Sequence, residues 1–125
     1  MDLQLHRPGD HLYVHSVSET SIRIVEQDYE GAIILSPEKL IDDWPITSFS
    51  MLEAEHLDPV FELQPEIVII GTGKQQALLS PELMIAFYRR GIGVEAMNTA
   101  AAARTFNVLV SEERNVAAIL MPPSS

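Results

Sequence analysis

Seven residues in the C-terminal half of the chain have types and spacing that suit ligand binding. They fall in two groups: Gly71, Thr72 and Gly73 follow one apolar run, and Asn98, Thr99, Arg104 and Asn107 follow the next. The backbone N–H groups of a glycine turn and an arginine guanidinium both suit an anionic group. These residues therefore predict a site for a small anionic ligand, but they do not indicate a particular reaction.

The glycine turn also has a purely structural interpretation. A dinucleotide-binding loop needs a third glycine, and Gln76 stands at that position. The clear helix start comes only at Ser80, so no helix N-terminus need point at a phosphate directly after the turn. A tight turn with a close backbone approach is the favoured interpretation of Gly71-Thr72-Gly73.

The polar residues of the second group have similar alternatives. Thr99 is expected to cap the following helix, Asn98 to make a turn, and Arg104 to pair with a neighbouring carboxylate. Asn is a poor residue in the middle of a helix, so Asn107 is expected to hydrogen-bond a specific partner. That partner is either a ligand or a backbone group.

Catalytic, metal and cofactor sites are not predicted. The chain has no cysteine, which removes disulfides, thiolate catalysis and cysteine-ligated metals. His11 and His15 share a face of a strand but lie about 13 Å apart, too far to chelate one ion. No serine-nucleophile motif is present. Trp44 is either a partner anchor or, as is more common in a small domain, part of the core.

Alternating strands and helices are expected to position the C-terminal site. Residues 67–70 read as a buried strand and residues 93–97 as the next one. Between them, Ser80 begins a helix as its cap, with Pro81 in the first turn. Its apolar face is expected to consist of Leu83, Met84, Phe87 and the stem of Tyr88. A second helix runs from 100 to about 110, and 116–121 is the last strand. Strands joined by helical crossovers pair in parallel, which brings the two polar groups to one edge of the sheet.

The N-terminal half favours antiparallel pairing. Residues 11–17 and 21–25 alternate polar and apolar side chains and predict a hairpin, and 31–35 read as a buried strand. Short helical turns are expected at 36–39 and 58–63, with irregular chain over 46–57. The fold class is therefore α/β, a single domain over 1–125 with helices packed on a mixed central β-sheet, N-terminal antiparallel strands and a C-terminal βαβαβ unit. Residues 1–10 are expected to form a loose lead-in and 122–125 a tail.

Charge and hydropathy constrain the partners. The net charge is −10, and all of the excess negative charge lies in the first 73 residues. An acidic chain is repelled by phosphate backbones, so nucleic-acid binding is disfavoured. The acidic half is either a solvated surface or a docking face for a basic partner. The sequence carries no recognisable signal peptide and no apolar run long enough to span a membrane, which favours a cytoplasmic protein.

Three segments in order resemble a known family. They are residues 65–73, 91–99 and 102–109, which read PEIVIIGTG, GIGVEAMNT and AARTFNVL. They are similar to a family of unknown function that includes the mitochondrial complex I assembly factor and the adipogenesis-associated domain proteins. The resemblance implies a compact three-layer α/β domain with no established catalytic residues. It also implies association with other proteins, because eukaryotic members act that way during respiratory-complex assembly. Without a mitochondrial leader, this chain resembles a stand-alone bacterial-type member.

Two functional hypotheses follow. The first is a non-enzymatic protein-interaction or assembly-factor-like module, with the acidic half and Trp44 as contact elements. The second is a binder of a small anionic metabolite, or an unrecognised enzyme, with its site at the carboxyl edge of the parallel strands. The oligomeric state is left open.

Overall fold

The computed structural model describes residues 11–125 of the 125-residue chain. The predicted lead-in, residues 1–10, lies outside the described residues. The N-terminal part forms a three-stranded antiparallel sheet of β1 (Val14–Val17), β2 (Ile22–Ile24) and β3 (Gln27–Tyr29) in that spatial order. The predicted hairpin is thus confirmed. β3 was not predicted, since two of its three residues are polar and give no alternating pattern.

The second sheet has five strands and is mixed. It contains β4 (Ile33–Leu35), β5 (Leu40–Ile41), β6 (Ile67–Gly71), β7 (Gly93–Met97) and β8 (Val116–Leu120) in the spatial order β5-β4-β8-β6-β7. β6 pairs in parallel with both β7 and β8, whereas β4 is antiparallel to β5 and β8. β8, the last of these strands in the chain, therefore occupies the centre of the sheet. Every residue of β8 is buried, as its uninterrupted apolar sequence requires.

Within residues 11–125, three α-helices accompany the sheets: α1 (Asp58–Phe61), α2 (Pro81–Tyr88) and α3 (Thr99–Ser111). α2 connects β6 to β7, and α3 connects β7 to β8, which is the predicted βαβαβ unit. Ser80 caps α2 as expected, because its side chain accepts a hydrogen bond from the Leu83 N–H at 3.2 Å. Gly91 ends the helical segment with a φ of 68°, a conformation that glycine adopts at little cost.

Two apolar cores lie on opposite faces of the five-stranded sheet. On one face, α3 and the three-stranded sheet cover Leu35, Ile69 and Leu120. On the other face, α1, α2 and two 3-10 turns, Phe49–Met51 and Ala54–Leu57, cover Val68 and Ile119. The molecule is therefore a three-layer α/β fold with a mixed central sheet, and the predicted fold class is confirmed.

Two local predictions about helix starts fail. The predicted helical turn at 36–39 is wrong, because the Ser36 hydroxyl accepts a hydrogen bond from the Lys39 N–H at 3.0 Å and the chain turns directly into β5. The predicted cap of the second helix is also wrong. Asn98 caps α3, its Oδ1 accepting from the Ala101 N–H at 2.8 Å, and Thr99 is the first helical residue. Both residue types are good caps, so the sequence could not choose between them.

Residues 122–125, the predicted tail, are bonded to the rest of the protein. The Lys74 N–H donates to the Pro123 carbonyl at 3.2 Å, and the Ser124 N–H donates to the Glu19 carbonyl at 2.8 Å. Pro122 is buried. This segment consequently lies against the loop that follows β6.

Candidate functional site

The carboxyl ends of β6 and β7 form the rim at which the sequence places its ligand site. The two strands are parallel neighbours, with Gly71 opposite Met97. The chain leaves β6 toward α2 on one face and leaves β7 toward α3 on the other. Strands whose connections diverge in this way leave a crevice outside their carboxyl ends. The structure therefore brings Gly71, Thr72 and Gly73 together with Asn98 and Thr99.

Close packing joins the two halves of this rim. A Cβ atom on Gly71 would lie 2.9 Å from the Thr99 Cα, which is too short for any real contact. Gly71 is thus required so that the first turn of α3 can rest directly on the end of β6. Gly73 has a φ of 117°, a conformation that side-chain-bearing residues rarely adopt. Each glycine meets a backbone requirement of the turn.

Thr99 is the fully buried polar side chain at the centre of the rim. Its Oγ1 accepts a hydrogen bond from the Gly73 N–H at 2.9 Å and donates to the Met121 carbonyl. Its backbone N–H donates to the Gly73 carbonyl at 2.8 Å. Thr99 therefore ties together three segments that are distant in sequence: the glycine turn, the start of α3 and the end of β8.

The remaining polar groups of the rim are also engaged within the protein. The Thr72 hydroxyl donates to the Gln75 carbonyl at 2.7 Å and accepts from the Ala77 N–H at 3.1 Å. The Gln76 side chain crosses to β7 and donates to the Ala96 carbonyl at 3.1 Å. Asn98 Oδ1 is occupied as the cap of α3. The loop after β6 is thus held down across the ends of both strands.

Arg104 and Asn107 occupy a different place from the five rim residues. Both line a groove of about 270 Å³ between α3 and β1, together with His15 and Ser16. Arg104 is exposed, about 7 Å along the axis of α3 from Thr99. The Asn107 amide is consumed by β1: its Oδ1 accepts from the Val14 N–H at 2.9 Å, and its Nδ2 donates to the Val14 carbonyl at 2.8 Å. The partner expected for Asn107 is therefore a backbone group.

Trp44 lies in the core. It is 9% exposed and packs on the α2 side of the sheet, where its indole N–H donates to the His56 carbonyl at 3.2 Å. The structure thus agrees with the core alternative, and the side chain does not reach outward as a partner anchor.

Residues 11–125 contain few groups that suit metal binding or have a shifted pKa. No group of three or more His, Asp or Glu side chains in this part of the chain is arranged to hold a metal ion. Tyr29 has a raised pKa, caused first by burial and second by the negative charge of Asp42. Its buried hydroxyl lacks a hydrogen-bond partner within the described residues. Tyr29 lies on β3, in the three-stranded sheet.

The surface that the sequence pattern missed is the outer side of α2. We expected Met84 and the stem of Tyr88 to join Leu83 and Phe87 on the inner face of the helix. Leu83 and Phe87 are buried, but Met84 is 53% exposed, Ile85 48% and Tyr88 83%. These three side chains, with Ile92 and Val94, line an apolar groove of about 350 Å³. We call this surface the α2 face.

A helical wheel separates the two sides of α2 but does not show which side is exposed. Steps of 100° per residue place Leu83 and Phe87 on one side of the helix and Ile85 on the opposite side. α2 is apolar nearly all round, however, over eight residues. A pattern of this kind does not tell which side the sheet covers, so the sequence alone left the buried side undecided.

Comparisons with known proteins give a consistent picture. Residues 14–121 match the family described as a protein of unknown function (DUF498/DUF598). A mouse protein named NADH dehydrogenase [ubiquinone] 1 alpha subcomplex assembly factor 3 is 33% identical over 114 residues, covering 90% of this chain and 61% of the mouse protein. The 13 kDa major membrane protein of Francisella tularensis is 33% identical over 95 residues, covering 75% of this chain and 77% of that protein.

A solved structure supports the same fold. The crystal structure of a Bordetella parapertussis protein superposes with a TM-score of 0.86 at 34% identity, covering 93% of this chain and 99% of that one. The chain spans 61% to 63% of the length of the assembly factors from mouse, frog and cow that it matches. Among the described residues, no helix is long and apolar enough to cross a membrane.

Proposed function

Since the chain belongs to the family of proteins of unknown function DUF498/DUF598, we propose that it is a cytoplasmic protein-interaction module of the assembly-factor type. The names of its relatives support this class, because the mouse protein that it resembles is named an assembly factor. The assembly role of that longer protein is carried over here as part of the proposal. The absence of cysteine is compatible with a reducing compartment.

The main support for this proposal is the exposed apolar surface of the α2 face. Met84, Ile85 and Tyr88 expose large apolar side chains on adjacent turns of one short helix. Single apolar residues on a surface are ordinary, but a contiguous patch beside an apolar groove is typical of a protein-docking site. Tyr88 has the properties of an anchor, since tyrosine brings a large contact area at low conformational cost and is enriched in binding hot spots.

The packing of α2 explains why this face is available. Leu83 and Phe87 turn toward Val68, Ile70 and Ile119 and satisfy the inner side of the helix. The arginines at its C-terminal end stay exposed, and the guanidinium of Arg90 lies 4.0 Å above the Phe61 ring. The helix is therefore fixed to the sheet without using its outer apolar residues.

Capture of partner proteins tests this function. A tagged full-length chain serves as bait in a lysate of its source cells, and bound proteins are identified by mass spectrometry. The Ile85→Ser/Tyr88→Ser variant is compared with Val108→Ser, which changes a 53% exposed apolar residue on α3. We expect at least one protein other than the chain itself to fall about tenfold with the first variant and to stay with the control. Identical captured sets from all three baits would contradict the proposal.

A second candidate function is the binding of a small anionic ligand. We propose that Arg104 holds the anion in the groove beside β1, with His15 on the opposite wall. The five rim residues, Gly71, Thr72, Gly73, Asn98 and Thr99, are the other proposed location. Thermal shift with inorganic phosphate and with succinate tests both. We expect Arg104→Ala to abolish the stabilisation and Arg114→Ala to keep it, and a shift lost only in Thr72→Val would place the ligand at the rim. A flat screen would remove this candidate.

A further inference from the structure

We propose that the α2 face docks against the α2 face of a second copy of this chain, related by a two-fold axis. The inference rests on the proposed function, because it takes the α2 face as a protein-docking surface, and it names the occupant. It is carried by the charges at the two ends of the face, which have opposite signs.

Glu82, Ile85 and Arg89 form one row along α2. Their spacing of three and four residues places them on the same side of the helix, with the apolar residue in the middle. Glu82 and Arg89 are both exposed, about 10 Å apart along the helix axis. The ion pairs among residues 11–125 are Arg23–Asp28 and Lys74–Glu19, so neither end of the row is neutralised within this part of the chain.

Neighbouring residues extend this polarity. At the start of α2, Glu53 and Glu55 line the same cleft as Glu82. At its end, Arg89 supplies the positive charge, whereas the guanidinium of Arg90 lies over the Phe61 ring on the inner side of the helix. The α2 face is therefore apolar in the middle, acidic at one end and basic at the other.

A two-fold axis perpendicular to α2 makes such a face complementary to itself. The axis sets the two helices antiparallel, so that Glu82 of one copy meets Arg89 of the other, and the contact occurs twice. Met84, Ile85 and Tyr88 then face the same residues of the other copy. The antiparallel arrangement also places the positive end of each helix dipole beside the negative end of its neighbour.

The charge of the whole chain favours this face over other self-contacts. With a net charge of −10, most pairs of surfaces on two copies repel each other. The α2 face lies in the half of the sequence where basic and acidic residues nearly balance. Two copies that approach through it bring opposite charges together at both contacts. A protein of unrelated charge pattern would gain no comparable double match.

Sedimentation of the purified full-length chain tests the inference. We expect a species of twice the 13.9 kDa chain mass that dissociates on dilution. Ile85→Glu is expected to raise the dimer dissociation constant at least about 100-fold, since it buries an unpaired carboxylate at the centre of the contact. Val108→Glu, an equal change on α3, is expected to leave it unchanged. Circular dichroism checks that each variant is folded.

A charge swap provides the sharper test. Glu82→Arg alone and Arg89→Glu alone each put like charges at both contacts, and we expect about tenfold weaker association. The double variant Glu82→Arg/Arg89→Glu restores both pairs in reversed order and is expected to dimerise within about threefold of the unmodified chain. Failure of the double variant to recover would overturn the two-fold pairing.

A wild-type chain that stays monomeric at every concentration would overturn the inference outright. The proposed function would not be decided by that result, because the capture experiment tests it with proteins other than this chain. A dimer without any captured partner would have the opposite meaning, since the self-association would stand and the assembly role would fall.

Discussion

Among individual residues, Gly71 shows how one missing side chain permits the rim to form. We predict that Gly71→Ala lowers the free energy of unfolding by about 1–3 kcal/mol, because its Cβ would lie 2.9 Å from the Thr99 Cα and 3.1 Å from the Ala102 Cβ. Urea unfolding measures the change. Gly31→Ala is the matched control, since a Cβ there meets nothing within 4 Å. Equal midpoints for the two variants would show that α3 does not rest on β6 as described.

Tyr29 carries a pH dependence whose sign follows from its raised pKa. Burial, and then the charge of Asp42, hold the phenol neutral in the folded protein above its ordinary pKa of 10.0. The unfolded chain ionises first, so stability is complete below pH 10.0 and falls as the pH rises from there toward the raised folded-state pKa.

We predict that Tyr29→Phe removes this component of the alkaline loss. Near neutral pH the variant should be neutral or more stable by up to about 1 kcal/mol, because the buried hydroxyl has no partner within the described residues. Chemical unfolding at a series of pH values measures both effects. Tyr88→Phe, a change at an 83% exposed residue, should keep the alkaline loss. A marked destabilisation of Tyr29→Phe would mean that its hydroxyl has a partner after all.

For the secondary-structure elements, the contact between α3 and β1 depends on one amide. The Asn107 side chain bonds both the N–H and the carbonyl of Val14, as a residue of an adjacent strand would. We predict that Asn107→Leu costs about 1–3 kcal/mol, since it leaves both groups of β1 unpaired. Hydrogen exchange at the Val14 amide should accelerate in parallel. Asn115→Leu, which removes one exposed contact to the Gln64 carbonyl, should cost less. Unchanged exchange at Val14 would contradict the bridge.

Whether an element could be predicted depends on how clear a pattern its residues show. β6 and β8 are five-residue apolar runs, and Ser80-Pro81-Glu82 combines three helix-start signals, so these were predictable. β3 has two polar residues among its three, and β5 has only two residues, so neither shows an apolar pattern. They exist because a neighbouring strand provides backbone partners, a tertiary effect that local sequence does not report.

The candidate site was predictable in part for the same reason. Parallel pairing of β6 with β7 follows from the alternation of strands and helices, so the meeting of Gly73 with Thr99 could be expected. The position of Arg104 could not, because β1 covers that turn of α3 from a distant part of the chain. The exposure of Tyr88 also depended on how α2 is rotated against the sheet, which an apolar helix does not encode.

At the scale of the whole molecule, we propose that the two cores on either side of the central sheet unfold as one domain. Trp44 reports on the α2 side, and far-UV circular dichroism reports on all the elements. We predict a single urea transition with coincident midpoints, because β8 contributes side chains to both cores and cannot leave one without the other. A fluorescence change that precedes the loss of secondary structure would divide the molecule into two units.

The central position of β8 has a consequence for synthesis on the ribosome. Both β4 and β6 pair with β8, and neither pairs with the other. Until residues 116–120 leave the exit tunnel, β4 and β6 lack the strand that lies between them in the folded sheet, so each keeps an unpaired apolar edge. Chaperones bind unpaired apolar edges of this kind, and the same edges promote aggregation during translation. The pairing of Val116–Leu120 with β4 and β6 is thus a late step of folding. After this step, the newly made protein no longer exposes those strand edges to chaperones.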